Sequence, residues 1–342
     1  MRIICQMQDM KDAYCLISED LVAMEIMASQ LISDIDPFVD EVVRYGLQLG
    51  GKRLRPALLF LTARGLGEVT DSHIRAAAAI ELIHTATLIH DDILDGAFIR
   101  RHLATINFKW DPHVAVLAGD ILLTKAMELL TRSEDIHGFR RVALACRQTC
   151  EGELLQTGTI GEFTISQNDY MNIISRKTAP FLACSTELGA YYSNAKPETI
   201  ELFRLFGQQL GIAFQMIDDV LDLAGKTNTT GKTLRTDILN RKPTLPLILY
   251  LQKASQNDID EIMLRLNNTK NNADNSNKNI SESDAEWIAD RICNSGVVNE
   301  IKRIAETIID TAIESIVNYP SGNLPAITAL AAIAKFITLR KN

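Results

Sequence analysis

No apolar run in this sequence is long enough to span a bilayer: the longest, Ala326 to Leu339, is short and interrupted by Lys335. Met1 to Cys5 is too short for the apolar core of a secretory signal. Excess positive charge is also missing. The 342 residues carry 35 Lys and Arg against 43 Asp and Glu, a net charge of −8. That balance argues against a general nucleic-acid binder, which needs basic surface to displace counterions from phosphates. Cysteine is sparse: 6 residues, at 5, 15, 146, 150, 184 and 293. Cys146 and Cys150 could meet on one helix face, but no His or further Cys pair accompanies them as in a zinc site. The expectation is core thiols kept reduced in the cytoplasm.

Strand-like alternation is scarce as well, and helical periodicity fills the space it leaves. With 46% hydrophobic residues the chain can bury a large core. Apolar spacing predicts helices near 12–46, 52–66, 71–97, 113–132, 138–158, 168–192, 198–224, 242–254, 257–267, 282–294, 297–317 and 324–339. Gly50-Gly51, Asp71-Ser72, Asp111-Pro112 and Lys196-Pro197 punctuate them. Residues 268–281 are Asn-rich and nearly without apolar content, which reads as a flexible connection inside a domain. The fold class expected is all-α, as a single domain.

Against that background one acidic pattern occurs twice: Asp91-Asp92-Ile93-Leu94-Asp95 and, 127 residues later, Asp218-Asp219-Val220-Leu221-Asp222. Both lie in apolar helical stretches, where unpaired charge is costly to bury. On a helix the first and fifth residues share one face, so Asp91 with Asp95, and Asp218 with Asp222, present hard carboxylate oxygens together. Such a donor set suits magnesium ions that keep waters and bind substrate phosphates. Basic residues flank the first pattern. Gly50-Gly51-Lys52-Arg53-Leu54-Arg55-Pro56 sets three cations beside two glycines, and Arg100-Arg101 follows Asp95; both compositions suit an anion.

With these segments stand Glu81 to Asp95, Ala115 to Asp120, Glu151-Gly152-Glu153-Leu154-Leu155-Gln156, Lys177-Thr178-Ala179, Phe214 to Asp222 and Thr244-Leu245-Pro246. In this order and spacing the chain resembles the trans-isoprenyl diphosphate synthases, the polyprenyl synthetases, along most of its length. The resemblance implies an isoprenoid-synthase helical bundle with a central active-site cavity. It also implies a prenyltransferase that elongates an allylic diphosphate with isopentenyl diphosphate, and a homodimer. Three magnesium ions are then expected on Asp91, Asp95 and Asp218, with Asp92, Asp219 and Asp222 in support. Lys232, Lys242 and Arg100 would contact the allylic diphosphate. Lys52, Arg55, His84 and Arg101 would hold the metal-free diphosphate of isopentenyl diphosphate. Lys177, Thr178 and Gln215 would face the reacting carbons, and Pro180 would kink its helix and free backbone oxygens.

The sequence departs from the family pattern twice. His102 stands where Gly commonly follows the paired arginines, and Arg241 precedes Lys242 where Gly is common. The first change bears on the loop's geometry; the second leaves Arg241 able to replace Lys242. Ala86 and Thr87, fifth and fourth before Asp91, are small where short-chain members tend to carry an aromatic residue. Each helical turn advances about 5.4 Å, close to one isoprene unit, so the expected product exceeds twenty carbons and reaches about thirty to forty. Two alternatives use the same architecture. A terpene cyclase would lack the second full acidic pattern, and a non-catalytic regulatory subunit should have lost aspartates or the Lys52–Arg55 pair.

Overall fold

The computed structural model describes residues 10–32, 36–132, 135–225, 235–268, 280–319 and 323–340. Among them are seventeen helices and a single two-stranded hairpin. In chain order the helices are α1 Met10–Cys15, α2 Ser18–Leu31, α3 Pro37–Gln48, α4 Leu54–Leu66, α5 Asp71–Leu94, α6 Ile106–Lys109, α7 Pro112–Thr131, α8 Ile136–Gly158, α9 Gln167–Lys177, α10 Ala179–Tyr192, α11 Pro197–Ala224, α12 Thr236–Leu239, α13 Leu245–Leu251, α14 Gln256–Asn267, α15 Glu282–Asn294, α16 Val297–Val317 and α17 Leu324–Leu339. β1 Ile99–Arg100 pairs antiparallel with β2 Leu103–Ala104.

The all-α expectation holds, with four adjustments of physical origin. The single helix expected over 12–46 is three helices. The last begins at Asp36, whose side chain accepts from the Phe38 amide, with Pro37 in the first turn, where its missing N–H costs nothing. The helix expected over 168–192 breaks at Thr178, two residues before Pro180, whose nitrogen cannot donate to the Arg176 carbonyl. The helix expected from 242 starts at Leu245 with Pro246 in its first turn. The one expected to 97 ends at Leu94, and the chain turns through the β1–β2 hairpin. The 268–281 stretch lies largely outside the described residues, as does Lys232.

Backbone proximity divides the chain into two compact units. The first comprises 1–146, 181–207 and 313–333. Its centre is α5, which packs on α2, α4 and α7. Ala76, Ala77, Ala78 and Ala79 are all buried there, small enough to let neighbouring helices close on the axis. The second unit comprises 147–180, 208–312 and 334–342. Its core gathers Tyr170, Ile174, Met216, Val220, Leu245, Ile288 and Ile292 around α9, α11, α13 and α15. Among the described residues, no helix is long and apolar enough to cross a membrane.

Candidate active site

In the first unit, α5 carries its acidic pattern at its C-terminal end, where Asp95 caps the helix and its amide bonds the Asp91 carbonyl at 2.8 Å. The three carboxylates separate by burial: Asp92 is 2% exposed, Asp91 half-buried and Asp95 exposed. Asp92 is turned inward onto Arg100, whose Nε donates to both carboxylate oxygens at 2.9 Å. A third contact runs from Arg100 Nη2 to Asp92 Oδ1 at 2.8 Å. A buried carboxylate needs such a forked partner. Arg100 therefore fixes the inward aspartate, and the helical register sets Asp91 and Asp95 one turn apart.

Beside this pattern lies a cationic cradle. A Cβ placed on Gly51 would lie 3.7 Å from Arg101 Nη2 and 4.0 Å from His84 Nε2, so loop, arginine and histidine converge. Arg101 Nη1 donates to the Gly50 carbonyl at 2.6 Å. His84, half-buried two turns before Asp91, has its pKa held well below the usual histidine range, first by burial and then by Arg55, Arg100, Arg101 and Arg53. Burial also lowers Arg55, partly offset by Glu81, and the Arg55 Nε is buried without a hydrogen-bond partner. Glu81, 6% exposed, is the inward counter-charge and pairs with Arg53 Nη1 at 2.6 Å. Lys52 is exposed on the same loop. The sequence-predicted set Lys52, Arg55, His84 and Arg101 thus lies in one unit around one loop.

The hairpin explains His102. Arg101 and His102 both have left-handed φ, 51° and 65°. They are the two central residues between Arg100 and Leu103, the pattern of a type I′ turn in which glycine is usual. The turn survives the loss of Gly, with His102 in the strained position.

In the second unit a line of hydrogen bonds runs inward from Thr178. Its hydroxyl donates to Gln215 Oε1 at 2.5 Å, Gln215 Nε2 donates to Asp219 Oδ1 at 2.8 Å, and the buried Tyr170 hydroxyl donates to Asp219 Oδ2 at 2.6 Å. Burial pushes Asp219 up to about 7, against the pull of Tyr170 and Gln215, while Asp218 raises it further. Lys177 Nζ meets Glu153 and Gln156, each at 2.7 Å. The segment 177–179 is held by close backbone approach on two sides. A Cβ on Gly152 would fall 2.7 Å from Arg176 C and Lys177 Cα, and one on Gly211 would fall 3.0 Å from Ala179 N.

Asp222 accepts from the Thr236 hydroxyl at 2.7 Å and from the Thr236 and Asp237 amides. It ties the residues after the second pattern back to α11. Asp218 is half-exposed and has Arg340 Nη2 at 3.7 Å. Asp237 is raised well above the usual carboxylate range by burial, then by Asp222 and Asp219, with Lys242 and Lys177 opposing. Arg241, at φ 57°, lies near the Phe163 ring, and its Nη2 donates to Asn267 at 3.3 Å. That orientation gives Arg241 a structural partner of its own. Sequence reasoning missed Tyr170, Asp237 and Arg340, single residues with no motif around them; only the second acidic pattern, which they touch, was legible.

The outer carboxylates of the two patterns suit a divalent cation chemically. Asp91, Asp95 and Asp218 offer hard oxygens, and Asp92, Asp219 and Asp222 are held by Arg100, Tyr170 and Thr236. Among the described residues no three His, Cys, Asp or Glu groups enclose a metal by themselves. An ion held here would complete its shell with water and phosphate oxygens, as magnesium does.

Comparison with known proteins agrees with this geometry. The sequence model of the Polyprenyl synthetase family matches residues 36–282. The chain is 35% identical over 253 residues to the all-trans-nonaprenyl-diphosphate synthase (geranyl-diphosphate specific) of Rhodobacter capsulatus, covering 74% of this chain and 78% of that protein. It is 30% identical over 334 residues to the heptaprenyl diphosphate synthase component 2 of Bacillus subtilis, covering 97% of this chain and 91% of that one. The structure of a polyprenyl synthase from Caulobacter crescentus, complexed with calcium and isoprenyl diphosphate, superposes with a TM-score of 0.88 at 30% identity over 98% of each chain. The chain belongs to the polyprenyl synthetase family, the trans-isoprenyl diphosphate synthases, and has their all-α isoprenoid-synthase fold.

Proposed function

We propose that this prenyltransferase elongates an allylic diphosphate with successive isopentenyl units to an all-trans polyprenyl diphosphate of about thirty to forty carbons, since Ala86 and Thr87 put no aromatic bulk in the turn before Asp91. The two units work as a single catalytic domain in this reading. The observation that carries it is the fixing of each acidic pattern by its own partners, Asp92 by Arg100, Asp219 by Tyr170 and Asp222 by Thr236, which sets the register in which Asp91, Asp95 and Asp218 are presented on their helices.

Asp91, Asp95 and Asp218 would hold three magnesium ions, which would supply Lewis-acid neutralisation of the leaving diphosphate. Arg100, Lys232 and Lys242 would add charge on the allylic side. Lys52, Arg55, His84 and Arg101 bind the diphosphate of isopentenyl diphosphate without metal. Because the Thr178 proton is committed to Gln215, the Thr178 oxygen is left as an acceptor, a dipole of the right sign for a developing carbocation. Gln215 holds that hydroxyl in place, and Lys177 would contact the diphosphate near the developing cation. Loss of diphosphate, attack by the isopentenyl double bond and loss of a proton then lengthen the chain by one unit.

A cytoplasmic homodimer is the assembly this reading takes. The near full-length likeness to a protein named as a component supports a second one, in which this chain is the catalytic partner of another subunit. Incubation with labelled isopentenyl diphosphate, magnesium and geranyl, farnesyl or geranylgeranyl diphosphate, followed by sizing of the lipid, tests both. Elongation by the chain alone supports the first. Elongation only with an added partner supports the second, and none in either case refutes the reading.

A further inference from the structure

The cradle for the metal-free diphosphate is poorly suited to hold its own shape. Its loop contains Gly50 and Gly51, with the greatest backbone freedom to lose, followed by Lys52, Arg53 and, two residues later, Arg55. Arg53 sits at φ 53°, a conformation unfavourable for a residue with a side chain. The cations Arg53, Arg55 and Arg101 crowd His84 and repel one another when no anion is present.

Contacts from outside the 36–282 family match hold the loop nonetheless. The Tyr14 hydroxyl, at the end of α1, donates to the Lys52 carbonyl at 2.6 Å. Glu25, on α2, accepts from Arg53 Nε at 3.3 Å while Glu81 of α5 takes the other end of the same guanidinium. Arg53 is thereby gripped from two helices, which keeps its backbone left-handed and sets the direction in which Lys52 and Arg55 leave the loop. Burial, with Glu81 nearby, pushes the Tyr14 phenol up to about 12, so it remains a donor throughout the physiological range. A third tie from α2 goes elsewhere: Asp20 binds Arg64 through two contacts, at 2.6 and 3.0 Å, three turns beyond the loop.

We infer that the N-terminal pair α1–α2 is a positioning element for the isopentenyl diphosphate cradle, with Tyr14 and Glu25 as its positioning residues. This rests on the anion reading of Lys52 and Arg55. Neither residue touches substrate; each preorganises groups that do, so its removal weakens one substrate's binding and spares the other's.

The test uses the full chain and inorganic diphosphate with EDTA present, titrated calorimetrically, alongside steady-state kinetics for both substrates. Tyr14→Phe and Glu25→Gln should each raise the diphosphate Kd and the KM for isopentenyl diphosphate about three- to tenfold, the span of one lost hydrogen bond. The KM for the allylic substrate and kcat should stay within about twofold, the uncertainty of such contributions. Asp20→Asn is the control. It loosens the same helix away from the loop and should lower thermal stability while leaving the diphosphate Kd unchanged. If Asp20→Asn weakens diphosphate as much as Tyr14→Phe, the effect is general loosening and the inference is wrong. Retained affinity in Tyr14→Phe and Glu25→Gln, with affinity lost in Lys52→Ala, also overturns it but leaves the anion reading standing. Retained affinity in Lys52→Ala removes both.

Discussion

Adding one methyl group at Gly152 should disable the enzyme from a position that contacts no substrate. A Cβ there would lie 2.7 Å from Arg176 C and Lys177 Cα, 0.7 Å inside the 3.4 Å at which ordinary contact begins. The opposing atoms are backbone and cannot rotate away, and Gly211 holds the far side of the same segment. The overlap must therefore be relieved by displacing residues 176–178. Overpacking of this kind costs about 1–3 kcal/mol, roughly 1–4 °C in Tm for a chain of this size. A displacement approaching 1 Å of Lys177 and Thr178 should lower turnover about ten- to hundredfold. Incorporation of labelled isopentenyl diphosphate at saturating substrate reads the loss, and a thermal melt reads the strain. Gly158→Ala, on the same helix with nothing within 4 Å of its Cβ, is the comparison and should be silent in both assays. Full turnover in Gly152→Ala would refute the claim that close backbone approach positions Lys177 and Thr178.

His102→Gly should stabilise the hairpin by about 0.5–1 kcal/mol, because glycine relieves the left-handed φ of 65°; an unchanged or lower Tm argues against the turn type. For His84 the folded pKa lies below the unfolded one, so the unfolded chain takes the proton first. Stability is then complete above pH about 6.5 and falls by at most about 1.4 kcal/mol per unit as the pH drops from there toward the depressed value. Denaturant titrations of His84→Gln should show that part of the slope gone, and an unaltered slope contradicts the assignment. Ala86→Phe should shorten the extracted product; an unchanged length in a folded variant removes the link between small residues before Asp91 and chain length.

Both acidic patterns were legible because spacing alone carries them, and the class of fold because helical periodicity persists for nearly the whole chain. A kink at Pro180 was legible from its missing N–H, but a full break at Thr178 was not, since apolar spacing runs on through Pro180 into Phe181 and Leu182. The hairpin of two-residue strands is too short to alternate. Left-handed backbone at Arg53, Arg101, His102 and Arg241 carries no glycine to announce it. Within each pattern the sequence shows three equivalent aspartates. Their separation into inward and outward groups depends on partners far along the chain: Tyr170 lies 49 residues before Asp219, and Thr236 lies 14 after Asp222. Arg100, expected on substrate, has its guanidinium on Asp92, which was the least visible of these assignments.

In the proposed mechanism two acidic patterns act through metal on one diphosphate while a separate cradle takes the other without it. Binding of a non-ionisable allylic thiodiphosphate and of isopentenyl diphosphate, each titrated with magnesium and with EDTA on the wild type, Asp91→Ala and Asp218→Ala, tests it directly. The account predicts that the allylic analogue binds only with magnesium and is lost in either variant, while isopentenyl diphosphate binds with or without the ion in all three. Allylic binding that survives EDTA, or that one of the two variants leaves untouched, would contradict it.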